Sequence, residues 1–226
     1  MKNNLIRLAA VIGAVGLTIG GNAVAQSDKL VPYQEGLHYF SIEQAPVTSG
    51  DFVEVVELFS YLCTHCNTFE PYVNSWAKRT PDFVNFRRLP VVFGRQSWEI
   101  YARGFITAQM MDLPSEAHMA MMDRLWKEKK IMRSLDEIAD FYTQFGADKQ
   151  KFLSTAQSFA VDGRLRKDAA QVRTWGITGT PSLVVNGKYR VAGNAAVPSF
   201  EAMLDVVDFL VEQESAQLQQ SSAEAD

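Results

Sequence analysis

The chain has 226 residues, of which 47% are hydrophobic and 21% charged, with a formal net charge of −4. Such a composition excludes a wholly disordered chain, and the negative charge argues against nucleic acid as a partner. The presence of only two cysteines also excludes a disulfide-dense scaffold.

Residues 1–25 read as a cleaved signal peptide: Lys2 and Arg7 precede an apolar run from Leu8 to Ile19, and Ala23-Val24-Ala25 supplies the small residues of a cleavage site. The run is about a dozen residues, short of the roughly 20 that span a bilayer. No cysteine near the site could carry a lipid, so the mature chain is expected to be soluble and exported. Losing Lys2 and Arg7 makes it two charges more negative.

Residues 26–37 read as an arm, residues 38–42 as a short strand, and Pro46 and Gly50 mark a loop. Phe52 to Phe59 is a near-continuous apolar, β-branched run, the pattern of a central strand covered on both faces. After it come Cys63-Thr64-His65-Cys66, then Phe69, Tyr72, Val73 and Trp76 at helical spacing, in a helix that holds Pro71. Phe83 to Phe93 reads as a second strand, which completes a βαβ unit.

Residues 97–175 carry helical periodicity without a convincing strand, and breaks near Pro114, Ser134, Gly146 and Gly176 divide them into four or five helices. Ser134 with Glu137 has the form of a capping box, and Asp148 is a candidate cap for the next helix. Asn186-Gly187 is a strong hairpin signal between Ser182–Val185 and Lys188–Val191. Pro198 to Val211 reads as a final helix, and the polar residues from Glu212 onward as a fraying tail.

The cysteine pair stands where a strand runs into a helix. Unpaired N–H groups and the positive end of the helix dipole favour a thiolate there, so the expected chemistry is thiol–disulfide exchange. A bridge that closes so short a loop constrains the unfolded chain little, which argues against a purely structural disulfide. His65, between the cysteines, can add positive charge beside Cys63. His38 and His118 have no comparable context, and three histidines with one cysteine pair make a zinc site unexpected. Glu57, on one strand face with Val55 and Phe59, is a buried carboxylate that could exchange a proton with Cys66. Met110, Met111, Met119, Met121 and Met122 are expected to serve mostly as core packing.

The form Glu-x-Phe-Ser-x-x-Cys-x-His-Cys over Glu57 to Cys66, the distant Thr180-Pro181 before a hairpin, and Val185 to Arg190 (VNGKYR) together resemble the DsbA family across the whole mature chain. The resemblance implies an α/β fold of the thioredoxin type with an inserted all-helical subdomain. Residues 26–96 and 176–211 would form the thioredoxin-like part, residues 97–175 the insertion, and residues 212–226 a flexible tail. It further implies that Cys63 is the nucleophile, Cys66 its resolving partner, Thr180-Pro181 a cis-proline element that binds substrate, and Arg88 a basic partner of Glu57. The implied activity is that of a periplasmic dithiol oxidase: the Cys63–Cys66 disulfide replaces any cofactor or metal, reduced exported proteins are the substrates, and a DsbB-type, quinone-linked membrane protein is the reoxidant. The chain is expected to act as a monomer. Thr64 departs from the proline common at this position in the family, and with it goes proline's fixed φ while an N–H and a hydroxyl are gained. A disulfide isomerase or reductase, and a periplasmic protein that binds metal or clients without turnover, stand as the competing readings.

Overall fold

The computed structural model describes residues 32–43 and 52–223; the signal segment, residues 26–31 of the arm, the loop with Pro46 and Gly50 and the last three residues lie outside them. The apolar run that marks the central strand is β2 (Val53–Phe59), in which every residue except Glu54 is buried. β2 pairs in parallel with β3 (Val84–Pro90) and antiparallel with β4 (Ser182–Val185). With β1 (Phe40–Ser41) and β5 (Tyr189–Ala192) the sheet has the order β1-β5-β4-β2-β3.

α1 (Thr64–Ala77) connects β2 to β3 and makes the βαβ unit, with Pro71 inside the helix. Its buried face carries Cys66, Phe69, Glu70, Val73 and Trp76. Tyr72, expected on that face, is exposed instead and meets Phe200 with ring centroids 5.5 Å apart. A neighbour one residue from Val73 is turned by about 100° around the helix, which is enough to leave the core.

Five helices follow: α2 (Gln96–Met110), α3 (Glu116–Trp126), α4 (Leu135–Thr143), α5 (Lys149–Ala156) and α6 (Phe159–Thr174). The Ser134 hydroxyl accepts from the Glu137 N–H, while the Glu137 carboxylate reaches the N–H of Arg133, one residue before the cap. Asp148 caps α5 through the Lys151 N–H. The break between α5 and α6 carries no glycine or proline; Ser158 makes it by accepting from the Val161 N–H. Met121 and Met122 are buried in the helical core with Phe105, Ile138 and Phe152, whereas Met110 is exposed.

The hairpin turns at Asn186 (φ +50°) and Gly187 (φ +64°), both left-handed as a type I′ turn requires. Asn186 also exchanges hydrogen bonds with Glu54: its N–H donates to the Glu54 carbonyl and its Oδ1 accepts the Glu54 N–H, each at 2.7 Å. The turn therefore extends the ladder between β2 and β4.

The last helix corrects the expected flexible tail, because α7 runs from Phe200 to Ala223 rather than ending at Val211. Glu214 explains the extra turns: it is buried, and its Oε2 accepts from Asn186 Nδ2 and Lys188 Nζ, both at 2.7 Å. Charged hydrogen bonds of this kind are worth about 1.5–3 kcal/mol each, enough to hold a polar helix end against the hairpin.

Alternation along β2 sends Val53 and Val55 to one face and Val56 and Leu58 to the other. The first face packs with Phe69 and Val73 of α1 and Leu204 and Val207 of α7. The second packs with Leu89, Val172 and Trp175. A separate core fills the helices and reaches Phe59, Tyr61 and Cys66.

Candidate active site

The strand ends at Phe59, and three short hydrogen bonds shape the bend into α1. Cys63 N–H donates to the Ser60 carbonyl at 3.1 Å, Leu62 N–H to the Ser60 hydroxyl at 3.3 Å, and Asn67 N–H to the Cys63 carbonyl at 3.1 Å. Trp126, at the end of α3, ties the bend to the helical layer by donating Nε1–H to the Tyr61 carbonyl at 2.9 Å. Cys63 is the N-cap residue of α1, with extended backbone, and the first turn of the helix holds no acid. No acid of the helix's own first turn therefore competes for its positive end.

The two cysteines are unbridged and differ sharply in environment. Cys63 is partly exposed and Cys66 is fully buried. A hydrogen bond from Cys66 is the largest influence that lowers the Cys63 pKa, followed by the Thr180 side chain and the backbone N–H groups of Cys66 and His65; against the opposing effect of burial they bring it to about 5. Cys66 moves the other way, raised by its hydrogen bond with Cys63 and by burial. As a thiol, Cys63 donates Sγ–H to the Thr180 carbonyl at 3.3 Å. Thr180-Pro181 is a cis peptide bond, and the Thr180 carbonyl places the loop before β4 against the reactive sulfur.

His65 and Thr64 are both exposed. His65 enters the pKa balance of Cys63 through its backbone N–H. The Thr64 hydroxyl makes no hydrogen bond to either sulfur among the described residues, and the carbonyl of Thr64 accepts from Thr68 at 3.1 Å. From His65 a groove of about 710 Å³ runs along Gly176–Ser182 to Arg190 and Phe200.

Glu57 is fully buried on β2, opposite Arg88 in the parallel register. Arg88 Nε donates to Glu57 Oε2 at 2.9 Å, while Glu57 Oε1 has no hydrogen-bond partner among the described residues. Burial pushes the Glu57 carboxyl up to about 8, against the pull of Arg88. The other end of Arg88 binds Glu70 Oε1 and Asn74 Oδ1, each at 2.7 Å.

Glu70, Asn74, Tyr61 and His118 extend this network beyond the two residues singled out in the sequence, and His118 is corrected from an isolated histidine to a buried member. Its Nε2 lies 3.0 Å from Glu70 Oε1 and its Nδ1 2.9 Å from the Tyr61 hydroxyl. A carboxylate can only accept, so Nε2 carries the proton and Nδ1 accepts from Tyr61. Burial lowers the His118 pKa despite Glu70, which fits this neutral tautomer. Burial raises the Glu70 carboxyl, but His118, Arg88 and Asn74 outweigh it and leave its pKa lowered. One guanidinium thus faces two carboxyl groups, one of which readily keeps a proton and one of which does not. A cavity of about 230 Å³ adjoins Tyr61, Arg88 and His118.

A signal for these members existed in the sequence. Glu70 falls four residues after Cys66 and three before Val73, on the apolar face of α1, and His118 falls on the face of α3 that buries Ala117, Met121 and Met122. Among the described residues there is no group of three or more His, Cys, Asp or Glu able to hold a metal ion, and no helix long and apolar enough to cross a membrane.

Residues 54–205 match the family model of the DSBA-like thioredoxin domain. The thiol:disulfide interchange protein DsbA of Pseudomonas aeruginosa is 39% identical over 194 residues, which is 85% of this chain and 89% of that protein. DsbA of Azotobacter vinelandii is 38% identical and covers 92% of this chain and 96% of its own. The crystal structure of Pseudomonas aeruginosa DsbA superposes with a TM-score of 0.76 at 37% identity over 84% of this chain and 98% of that one. A DsbA oxidoreductase from Xylella fastidiosa gives a TM-score of 0.73 at 30% identity, over 79% of this chain and 96% of that one. With its mixed sheet, its dithiol at the start of α1 and these relatives over most of its length, the chain belongs to the DsbA family of thioredoxin-fold thiol:disulfide oxidoreductases.

Proposed function

We propose that the chain is a periplasmic dithiol oxidase that passes its Cys63–Cys66 disulfide to newly exported proteins. The observation that carries this reading is the asymmetry of the pair, with Cys63 held as a thiolate near neutrality and Cys66 buried and held as a thiol. Ionising Cys63 stabilises the reduced form, and a stabilised product of reduction makes the disulfide oxidising.

A client thiolate attacks the Cys63 sulfur, the bond between Cys63 and Cys66 breaks, and Cys66 leaves as a thiolate. In its buried position that thiolate takes up a proton, for which the Glu57 carboxyl, protonated up to about pH 8, is the candidate donor. A second client thiolate then attacks the client sulfur of the mixed disulfide and expels Cys63, which leaves readily because its pKa is low. The client loses two electrons and the dithiol gains them. Cys63 is the nucleophile and leaving group, Cys66 the resolving thiol, Glu57 the proton donor and Arg88 its positioning partner.

His65 lines the groove, and Thr64 beside it is exposed. The Thr180 carbonyl and the groove along Gly176–Pro181 offer an extended client backbone acceptors and apolar surface close to the sulfur. One chain supplies both the groove and the dithiol, which suits a monomer. Return to the disulfide requires a two-electron acceptor, assigned by family to a DsbB-type membrane protein linked to quinone.

Equilibrating the couple against glutathione buffers, with the Cys63 pKa read from thiolate absorbance, tests the reading. A potential well above the glutathione pool together with a strongly lowered pKa is expected. A thioredoxin-like potential with a pKa near neutrality overturns it in favour of a reductase or isomerase.

A further inference from the structure

The groove beside the dithiol is apolar over most of its length, and of the described residues that line it only His65 and Arg190 have ionisable side chains. No acid lines it. Arg190 stands on β5 opposite Val184, half-buried, with its guanidinium carbon 4.8 Å from the centre of the Phe40 ring. Gly176, at φ +63°, lies close to the same group: a Cβ there would meet Arg190 Nε at 3.6 Å. The guanidinium thus has an aromatic ring and the backbone of the loop that leads to Thr180 as close neighbours.

Those neighbours limit where the group can swing and leave its N–H edges to be matched. The guanidinium makes no hydrogen bond or ion pair among the described residues. Glu43 and Arg173 border an adjoining cavity that Arg190 also lines, but Glu43 does not pair with it. A planar, oriented guanidinium with free edges is a receptor for a carboxylate, which it can grip with two parallel hydrogen bonds.

We propose that Arg190 makes the groove select client segments that carry an Asp or Glu side chain close to the reacting cysteine. The proposal rests on the oxidase reading and specifies its substrate class. The spacing follows from the chain: Gly176 and Thr180 are four residues apart and so lie within about 14 Å. An extended client therefore reaches from Cys63 to Arg190 with about four residues.

The test uses the oxidised full chain and matched dithiol peptides that carry Glu, Gln or Lys within about four residues of the reacting cysteine, on either side of it. The readout is the ratio of second-order oxidation rates within one protein, at low and high salt. For the native protein the Glu peptide is expected to react about three- to tenfold faster than the Gln peptide, with the ratio shrinking as salt rises. In Arg190→Gln the ratio falls to about one, and in Arg190→Glu the Lys peptide becomes the preferred one. Equal rates for all peptides with the native protein, or a Glu preference that survives in Arg190→Gln, overturn the proposal while leaving the oxidase reading in place. If the native protein oxidises none of the peptides, the oxidase reading falls and the proposal with it. Where Arg190→Gln disturbs folding, Arg190→Lys keeps a charge but loses the two-pronged grip, and a Glu preference that it leaves undiminished overturns the proposal.

Discussion

Reducing the dithiol should stabilise the fold near neutrality, and this stabilisation should vanish in acid. The Cys63 pKa is about 5, whereas an unfolded thiol keeps its proton to about 8.5. A depressed pKa contributes stability that is complete above the unfolded value and lost as pH falls through the folded one. At pH 7 two pH units separate the solution from the folded pKa, which at 1.36 kcal/mol each is at most about 2.7 kcal/mol. Cys63 is partly open to solvent, and screening brings this to about 1.5–2.5 kcal/mol. For a two-electron couple that corresponds to about 30–55 mV toward the oxidising side. Two neighbouring groups titrate differently. Burial raises Glu57, whose contribution is present below its unfolded pKa and lost as pH rises through about 8, and comparing the two redox forms in a Glu57→Gln background removes it from the difference. Cys66, with its raised pKa, is a thiol in the folded and the unfolded reduced chain below about pH 8 and adds nothing there. Urea unfolding of the reduced and oxidised proteins at pH values from 4 to 8 isolates the Cys63 contribution as the difference between the two curves. That difference should be flat below about pH 5 and rise steadily above it. A difference that stays constant over the whole range, or falls with pH, would refute the assignment of the low pKa to Cys63.

Glu57→Gln removes the carboxyl whose proton is retained to about pH 8. Its stability relative to the native protein should improve as pH rises from 5 to 8, by up to about 1.4 kcal/mol per unit, and a gap independent of pH counts against the raised pKa. Arg88→Met strands Glu57 and Glu70 without their shared cation and should cost about 3–5 kcal/mol in urea unfolding, so a loss under about 1 kcal/mol would contradict the buried network. Glu214→Ala takes the acceptor from Asn186 and Lys188; about 3–6 kcal/mol should be lost, and amide exchange beyond Val211 should accelerate, which unchanged protection there would disprove. In Gly104→Ala the new Cβ would stand 2.7 Å from Ile138 Cγ2, an overpacking of the helical core worth about 1–3 kcal/mol and read as a lowered Tm.

The parts of the fold that could be read from sequence are those with local causes. Phe52 to Phe59 and Asn186-Gly187 announce a buried strand and a tight turn by composition alone, and Ser134 and Asp148 fix helix starts through neighbours three residues away. Cys63 and Cys66 belong to the same class, since a strand end and a helix start lie within a few residues of them. The buried polar network is different. Tyr61, Glu70, Arg88 and His118 come from four separate segments, and no local pattern says which carboxylate an arginine will reach. What sequence does offer is position: Glu70, His118 and Glu214 each occupy the apolar stripe of a helix, where a polar residue must find a partner or leave the core. For α7 the polar composition after Val211 outweighed that clue, and the clamp through Glu214 reversed the outcome.

The helix that begins at the dithiol is shared between two cores. Cys66 packs with Phe59, Tyr61 and the helices, while Phe69, Val73 and Trp76 of the same helix pack with the sheet and α7. Native proteins open in cooperative units that follow such divisions, and a boundary between units is where small energies move structure most easily. The sulfur chemistry therefore takes place on a fault line. Cys66 belongs to the helical core, while Thr180 and Pro181 lead into β4 of the sheet. The dithiol thus stands at the boundary between two cores, and a substitution on either side of α1 bears on the packing of the residues that carry it.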